Sequence, residues 1–148
     1  GNNLQMKIKI ISVGKAKNKH IIHMSNDYKN RIKHYTKLEE VVLKSGTNQF
    51  ENEKILAHLK NDTGLIFALS EDGLSFGSND FAKMISRVTD QISFIIGGPE
   101  GIGSEVKENC NQVIALSSMT FTHEMAQLFL LEQIYRAFTI LHNKKYHK

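Results

Sequence analysis

The stretch Ile92-Ser93-Phe94-Ile95-Ile96-Gly97-Gly98-Pro99-Glu100-Gly101-Ile102-Gly103 decides how this chain is read. Its first five residues form a short, nearly continuous apolar run, the pattern of a strand covered on both faces. Two glycines and the only proline of the sequence then stop that strand abruptly. A strand closed by such a turn belongs either to a sheet whose loops hold a ligand or to a tight bend that simply needs glycine. The residues alone leave both readings open.

Outward from this stretch the hydrophobic pattern changes type repeatedly. Lys7–Val13 reads as a strand, and His20–Lys37 as an amphipathic helix with Ile21, Met24, Tyr28, Ile32 and Tyr35 near one face. Val41–Leu43 falls in a second strand and Glu51–Lys60 in a short helix. Gly64–Ser70 is another apolar run typical of a buried strand. Ser78-Asn79-Asp80 offers a helix cap before Phe81, Met84, Ile85 and Val88 at helical spacing. After the glycine turn, Ser104 can cap a short helix reaching about Asn109. Val113–Leu116 is a last strand, and His123–Leu141 a long apolar helix. Strands alternating with helices predict an α/β domain whose mainly parallel sheet lies between helices, joined by right-handed crossovers. The single domain is expected to span residues 6–148, with residues 1–5 a tag remnant or a short extension.

A parallel sheet binds ligands at the carboxyl ends of its strands, which is where Gly97–Gly103 falls. A phosphate loop needs G-x-x-x-x-G-K-S/T; Gly98 and Gly103 have the spacing, but Ser104 stands where lysine is required. A dinucleotide fingerprint needs G-x-G-x-x-G in the first crossover, and this turn is late and differently spaced. A backbone cradle for an adenosine-type cofactor without a pyrophosphate remains, beside the purely structural turn.

Composition narrows the class. With 41% hydrophobic and 23% charged residues in 148, the chain fits one soluble globular domain with its own core. No apolar run approaches the roughly 20 residues of a membrane helix, and lysines interrupt the first apolar stretch where a signal peptide would be unbroken. The lone Cys110 has no partner for an internal disulfide, which suits a reducing cytoplasm. Residues 1–37 carry nine Lys/Arg against the single acid Asp27, whereas the remainder carries ten against fourteen. Such asymmetry points to a polyanionic partner or to a solvated lysine-rich helix. His20 and His23 lack a third metal ligand, and no metal is expected. His123-Glu124-Met125-Ala126-Gln127 departs from the zinc-protease helix because Gln127 replaces its second histidine. Ser117, Ser118 and Thr120 have no hydrolase elbow around them.

The C-terminal helix carries apolar residues around its axis: Phe129, Leu130, Leu131, Ile134, Phe138 and Leu141. Burial on two sides, one against a second subunit, accounts for that breadth. Arg136, His142, Lys144, Lys145, His147 and Lys148 make a basic end with Tyr146 among them. That mixture stacks on bases and neutralises phosphates, or forms an exposed charged tail.

These segments together resemble the bacterial ribosomal large-subunit pseudouridine N3-methyltransferases, a family of the trefoil-knotted SPOUT methyltransferases. The likeness runs from about Met6 to the last residue. It rests on Ile95–Gly101, on Leu116-Ser117-Ser118-Met119-Thr120-Phe121 followed by His123, on Glu132–Phe138, and on the terminal Tyr146-His147-Lys148. Gly14 and Leu69 through Gly73 fit more loosely. The resemblance implies a C-terminal knot, an obligate homodimer, an rRNA substrate met in the assembled ribosome, and S-adenosylmethionine as cofactor. Leu69, Gly97, Gly98, Gly101 and Leu116, Ser117, Ser118, Met119, Thr120 and Phe121 would then hold the cofactor. His147 and His123 would be candidate bases and Tyr146 would orient the target base. Arg136, Lys144, Lys145 and Lys148 would contact RNA, the tail of one subunit approaching the cofactor of the other. Two departures from the family pattern stand out: Lys44–Phe50 is a short connection, and Thr122 and Gln127 occupy positions where the family usually has proline and arginine. Methylation of another rRNA or tRNA nucleotide, and a non-catalytic RNA- or ribosome-binding module, are the alternatives carried with this reading.

Overall fold

The computed structural model describes residues 6–143. Ten elements follow in order: β1 (Lys7–Val13), α1 (Lys19–Ile32), β2 (Lys37–Leu43), α2 (Asn48–Leu59), β3 (Leu65–Ser75), α3 (Ser78–Ser86), β4 (Gln91–Ile96), α4 (Ser104–Glu108), β5 (Gln112–Ala115) and α5 (His123–Asn143). The five strands form one sheet in the order β2-β1-β4-β3-β5, every pair parallel. The α/β architecture expected from the alternating pattern is therefore the one observed.

Strand periodicity sends successive side chains to opposite faces, and two cores result. Ile8 and Ile10 of β1 join Ile92, Phe94 and Ile96 of β4 against Ile32 of α1, Phe81 and Ile85 of α3, and Leu130, Leu131 and Ile134 of α5. Ile11, Val13 and Ile95 point the other way, onto Ile55 and Leu59 of α2 and Val106 of α4. The two central strands β1 and β4 are buried on both faces, which is why their sequences read as continuous apolar runs. Each fully buried isoleucine contributes on the order of 1.5–3 kcal/mol. No helix among the described residues is long and apolar enough to cross a membrane.

Several boundaries differ from the sequence reading, each for a local reason. Helix α1 ends at Ile32 rather than Lys37, because Thr36 is buried with its hydroxyl donating to the Met6 carbonyl. The chain is thereby turned so that Lys37 through Leu43 pair with all seven residues of β1. Thr47 caps α2, which starts three residues early at Asn48. Gly77, not the Ser78–Asp80 segment, occupies the cap of α3, and the Ser78 hydroxyl instead donates to Gln133 of α5 at 2.8 Å. Ser104 likewise follows the cap position, held by Gly103, and α4 stops at Glu108. Strand β3 continues to Ser75 past a shift in register between Leu69 and Leu74. Cys110 donates its thiol hydrogen to the Val106 carbonyl at 3.2 Å, and burial pushes its pKa up to about 11.

Away from the glycine turn, at the amino end of the sheet, lies a buried polar cluster. The Asp62 side chain is 0% exposed. It accepts from Ser93 at 2.7 Å, from the Gly64 N–H at 2.9 Å and from Gln91 at 3.2 Å, with the Lys9 ammonium 3.5 Å away. Burial raises its pKa, but the hydrogen bonds from Ser93 and Gly64 and the charge of Lys9 outweigh it and leave the carboxyl below its ordinary range. Removing one partner of such a pair strands the other charge, so Asp62→Ala is expected to cost about 3–5 kcal/mol in urea unfolding. Because the folded pKa is lowered, the contribution is complete at neutral pH and disappears as pH falls through that lowered value. Asp62→Asn should therefore show a flatter dependence of stability on pH below about 4 than the parent chain.

Candidate active site

The carboxyl ends of the adjacent strands β4, β3 and β5 open into a cleft of about 680 Å³. Leu69 and Ser70 come from β3, Ile96 from β4, and the Gly97–Gly101 turn forms one wall. The segment after β5 and the first turn of α5, with His123 and Glu124, form the other. The volume suits a small cofactor, since such pockets run roughly 300–1,000 Å³. Among the described residues its walls include Glu71, Glu100 and Glu124 but no lysine or arginine. The carboxylates of these walls favour a positively charged ligand.

The glycine wall has a defined backbone. The Gly98 carbonyl accepts the Gly101 N–H at 2.9 Å across a turn with Pro99 at its second position, and Gly101 has φ +79°. Helix α2 holds this turn from behind. Asn48 donates to the Gly101 carbonyl at 3.1 Å, and Asn52 accepts the Gly103 N–H at 2.9 Å. Between them Glu51, 4% exposed, accepts the Gly46 N–H at 3.1 Å and packs so close to Gly98 that a Cβ there would collide with its carboxylate. Asn48, Glu51 and Asn52 stand at i, i+3 and i+4, on one helix face. Sequence reasoning missed them; the cap at Thr47 followed by that spacing was the available signal.

On the opposite wall the Ser117 hydroxyl accepts the Met119 N–H at 3.0 Å, and Phe121 meets Phe129 edge-on at 5.1 Å. Thr122 caps α5: its hydroxyl accepts from the Met125 N–H and its carbonyl from the Ala126 N–H. Glu124 accepts the backbone N–H of Lys17 at 2.7 Å and of Asn18 at 3.0 Å. The bonds from Asn18 and then Lys17 hold its carboxyl below the usual range. Glu124 was also missed as a site residue, because its partners lie more than a hundred positions away in sequence.

Nine of the ten expected cofactor residues line this cleft: Leu69, Gly97, Gly98, Gly101, Leu116, Ser117, Met119, Thr120 and Phe121. His123 lines it too. Ser118 is exposed and is not among the walls. Arg136 sits elsewhere on α5, exposed and paired with Glu132 at 2.7 Å. Gln127 is half-buried and does not reach the cleft wall. Lys144, Lys145, Tyr146, His147 and Lys148 lie outside the described residues.

The sheet order, the glycine turn and the cleft at three strand ends coincide with a family match: a profile described as "Predicted SPOUT methyltransferase" covers residues 6–147. The chain belongs to the SPOUT methyltransferases. Among curated proteins it is similar to the ribosomal RNA large subunit methyltransferase H of Natranaerobius thermophilus, 36% identical over 96% of this chain and 99% of the relative. The proteins of that name from Coprothermobacter proteolyticus and Acholeplasma laidlawii are 40% and 41% identical, each over 97% of this chain and 100% of the relative. Among solved structures, a probable methylase family protein from Haemophilus influenzae Rd KW20 superposes with a TM-score of 0.62 at 13% identity, over 93% of this chain and 69% of that one, a likeness of fold.

Gly101 tests the turn directly. A Cβ there would meet no atom within 4 Å, so the cost of Gly101→Ala is conformational. It is expected to lose about 1–2 kcal/mol of stability, with Gly101→Asn losing less, because asparagine tolerates the left-handed region better. Denaturant midpoints of the two variants provide the comparison.

Proposed function

We propose that this protein methylates large-subunit ribosomal RNA, moving a methyl group from S-adenosylmethionine to N3 of a pseudouridine. The observation that carries the reading is the cleft itself, whose walls, among the described residues, hold a glycine turn, three carboxylates and one histidine but no lysine or arginine. When bound, S-adenosylmethionine supplies an electrophilic methyl on a sulfonium centre, and the negative walls suit that cation. Gly98 and Gly101 let the backbone approach it, while α2 keeps the turn in place. The curated relatives, named as ribosomal RNA methyltransferases, support RNA as the acceptor.

For the protein's own groups the chemical work is alignment and proton removal. Holding donor and acceptor in line is worth up to roughly 7–11 kcal/mol in ideal intramolecular reactions. The imide proton at N3 must leave before or during attack, and histidine is the side chain that accepts a proton nearest neutral pH. His123, on the cleft wall, is one candidate base and His147 the other, with Tyr146 orienting the pyrimidine and Arg136, Lys144, Lys145 and Lys148 meeting phosphates. A homodimer completes the arrangement. Leu74 and Met119 are 59% and 72% exposed, and near them Phe76, Phe121 and Phe129 line a second hollow of about 410 Å³ beside α5. Covering these groups with a second subunit would let its tail enter the first subunit's cleft. The same reading carries the C-terminal knot and a cytoplasmic location.

Incubation with methyl-labelled S-adenosylmethionine and ribosomes or protein-free rRNA should label the large-subunit RNA, and mass spectrometry should find N3-methylpseudouridine. Label on a different nucleoside, or none despite cofactor binding, refutes the substrate. Deleting Tyr146–Lys148 should abolish transfer while leaving cofactor affinity nearly intact. Replacing the true base, His123→Ala or His147→Ala, should lower kcat by about 10²–10⁴-fold.

A further inference from the structure

The cleft that receives the methyl donor is lined by Glu71, Glu100 and Glu124, so an RNA strand entering it meets negative charge. Among the described residues, the cations that could hold the phosphates stand outside the walls. Most basic residues in the first third of the chain are unsuited to this. Lys7, Lys9, Lys29 and Arg31 are paired with Glu39, Asp62, Glu40 and Asp27. Lys33 and Lys37 flank the start of β2, at the sheet's amino end, away from the cleft.

Lys15, Lys17 and Lys19 differ on both counts. They follow β1 at the carboxyl end of the sheet, all three are exposed, and none has an ion pair among the described residues. The segment that bears them is not a loose loop. The Glu124 carboxylate, itself part of the cleft wall, accepts the backbone N–H groups of both Lys17 and Asn18. The Asn18 side chain in turn accepts from His20 and Ile21 and starts α1. Because Glu124 bonds the backbone, it anchors the segment while leaving the ammonium groups uncompensated by direct contact.

We propose that Lys15, Lys17 and Lys19, buckled to the cleft wall by Glu124, form the seat for the phosphate backbone of the RNA whose base enters the cleft. This rests on the methyltransferase reading above and adds to it a docking surface and a positioning residue. Backbone phosphates on this seat would fix the register of the strand, while the target base reaches past it toward His123. The seat reads phosphate spacing and not sequence.

The test is Lys15→Glu/Lys17→Glu/Lys19→Glu in the full chain, assayed with protein-free rRNA and with ribosomes. Binding should weaken at least tenfold, and the slope of log affinity against log salt should fall by about 2–3, near 0.7–0.9 for each phosphate no longer neutralised. KM for RNA should rise with kcat much less changed, and calorimetry should find S-adenosylmethionine affinity unaltered. Glu124→Ala should raise KM for RNA and speed hydrogen exchange at the Lys17 and Asn18 amides, while Glu124→Gln, which keeps an acceptor oxygen, should recover much of both. Unchanged RNA affinity and salt slope in the triple variant would overturn the seat. A loss of ribosome binding that leaves the salt slope unchanged would also overturn it, because the lost contact would then not be to phosphates. A parent chain that binds RNA through these lysines yet transfers no methyl group would refute the enzymatic reading and leave the seat standing.

Discussion

Every strand in this sheet runs the same way, and so every strand delivers its outgoing chain to one edge. The glycine turn after β4, the end of β3, the segment after β5 and the lysine-bearing segment after β1 are neighbours for that reason alone. A parallel sheet is stable only when covered on both faces, which commits its helices to the flanks and leaves the edge free for loops. The cleft follows from this division of labour: the apolar layers fix where the strands end, and the loops supply the chemistry.

Charge is partitioned along the same axis. At the amino end, Asp62 and Lys9 neutralise one another in a buried cluster. At the carboxyl end, negative groups line the cleft and positive ones stand beyond its wall, with Glu124 touching both regions through backbone hydrogen bonds. Glu51 uses the same device behind Gly98, satisfying the Gly46 N–H from a buried position. In both places a carboxylate organises a loop by accepting main-chain hydrogens, so the loop's shape depends on a side chain supplied by a helix.

The strands were legible because burial on two faces leaves an unmistakable apolar run, as in Lys7–Val13 and Ile92–Ile96. Helix ends were harder to read. The extension of α1 to Lys37 followed helical periodicity, which cannot register that Thr36 is turned inward to meet Met6. The glycine turn and the Leu116–Phe121 segment could be singled out because their residue types are unusual for plain turns. Asn48, Glu51 and Asn52 left only the faint signal of a cap followed by helical spacing, and Glu124 left none, since ordinary polar residues on helices acquire meaning only from what folds against them. Ser118 shows the converse: it sits inside a recognisable segment yet takes no part in the cleft wall.

The single cysteine has a practical consequence. Burial pushes the Cys110 thiol up to about 11, so it is ionised far less than an ordinary cysteine at neutral pH, and the half-buried residue donates its thiol hydrogen to the Val106 carbonyl. Thiol reagents are therefore expected to react faster with a cysteine introduced on the surface than with Cys110. The native sequence is already a background for attaching one fluorophore or spin label at a chosen position, with no prior mutation needed to silence competing sulfur.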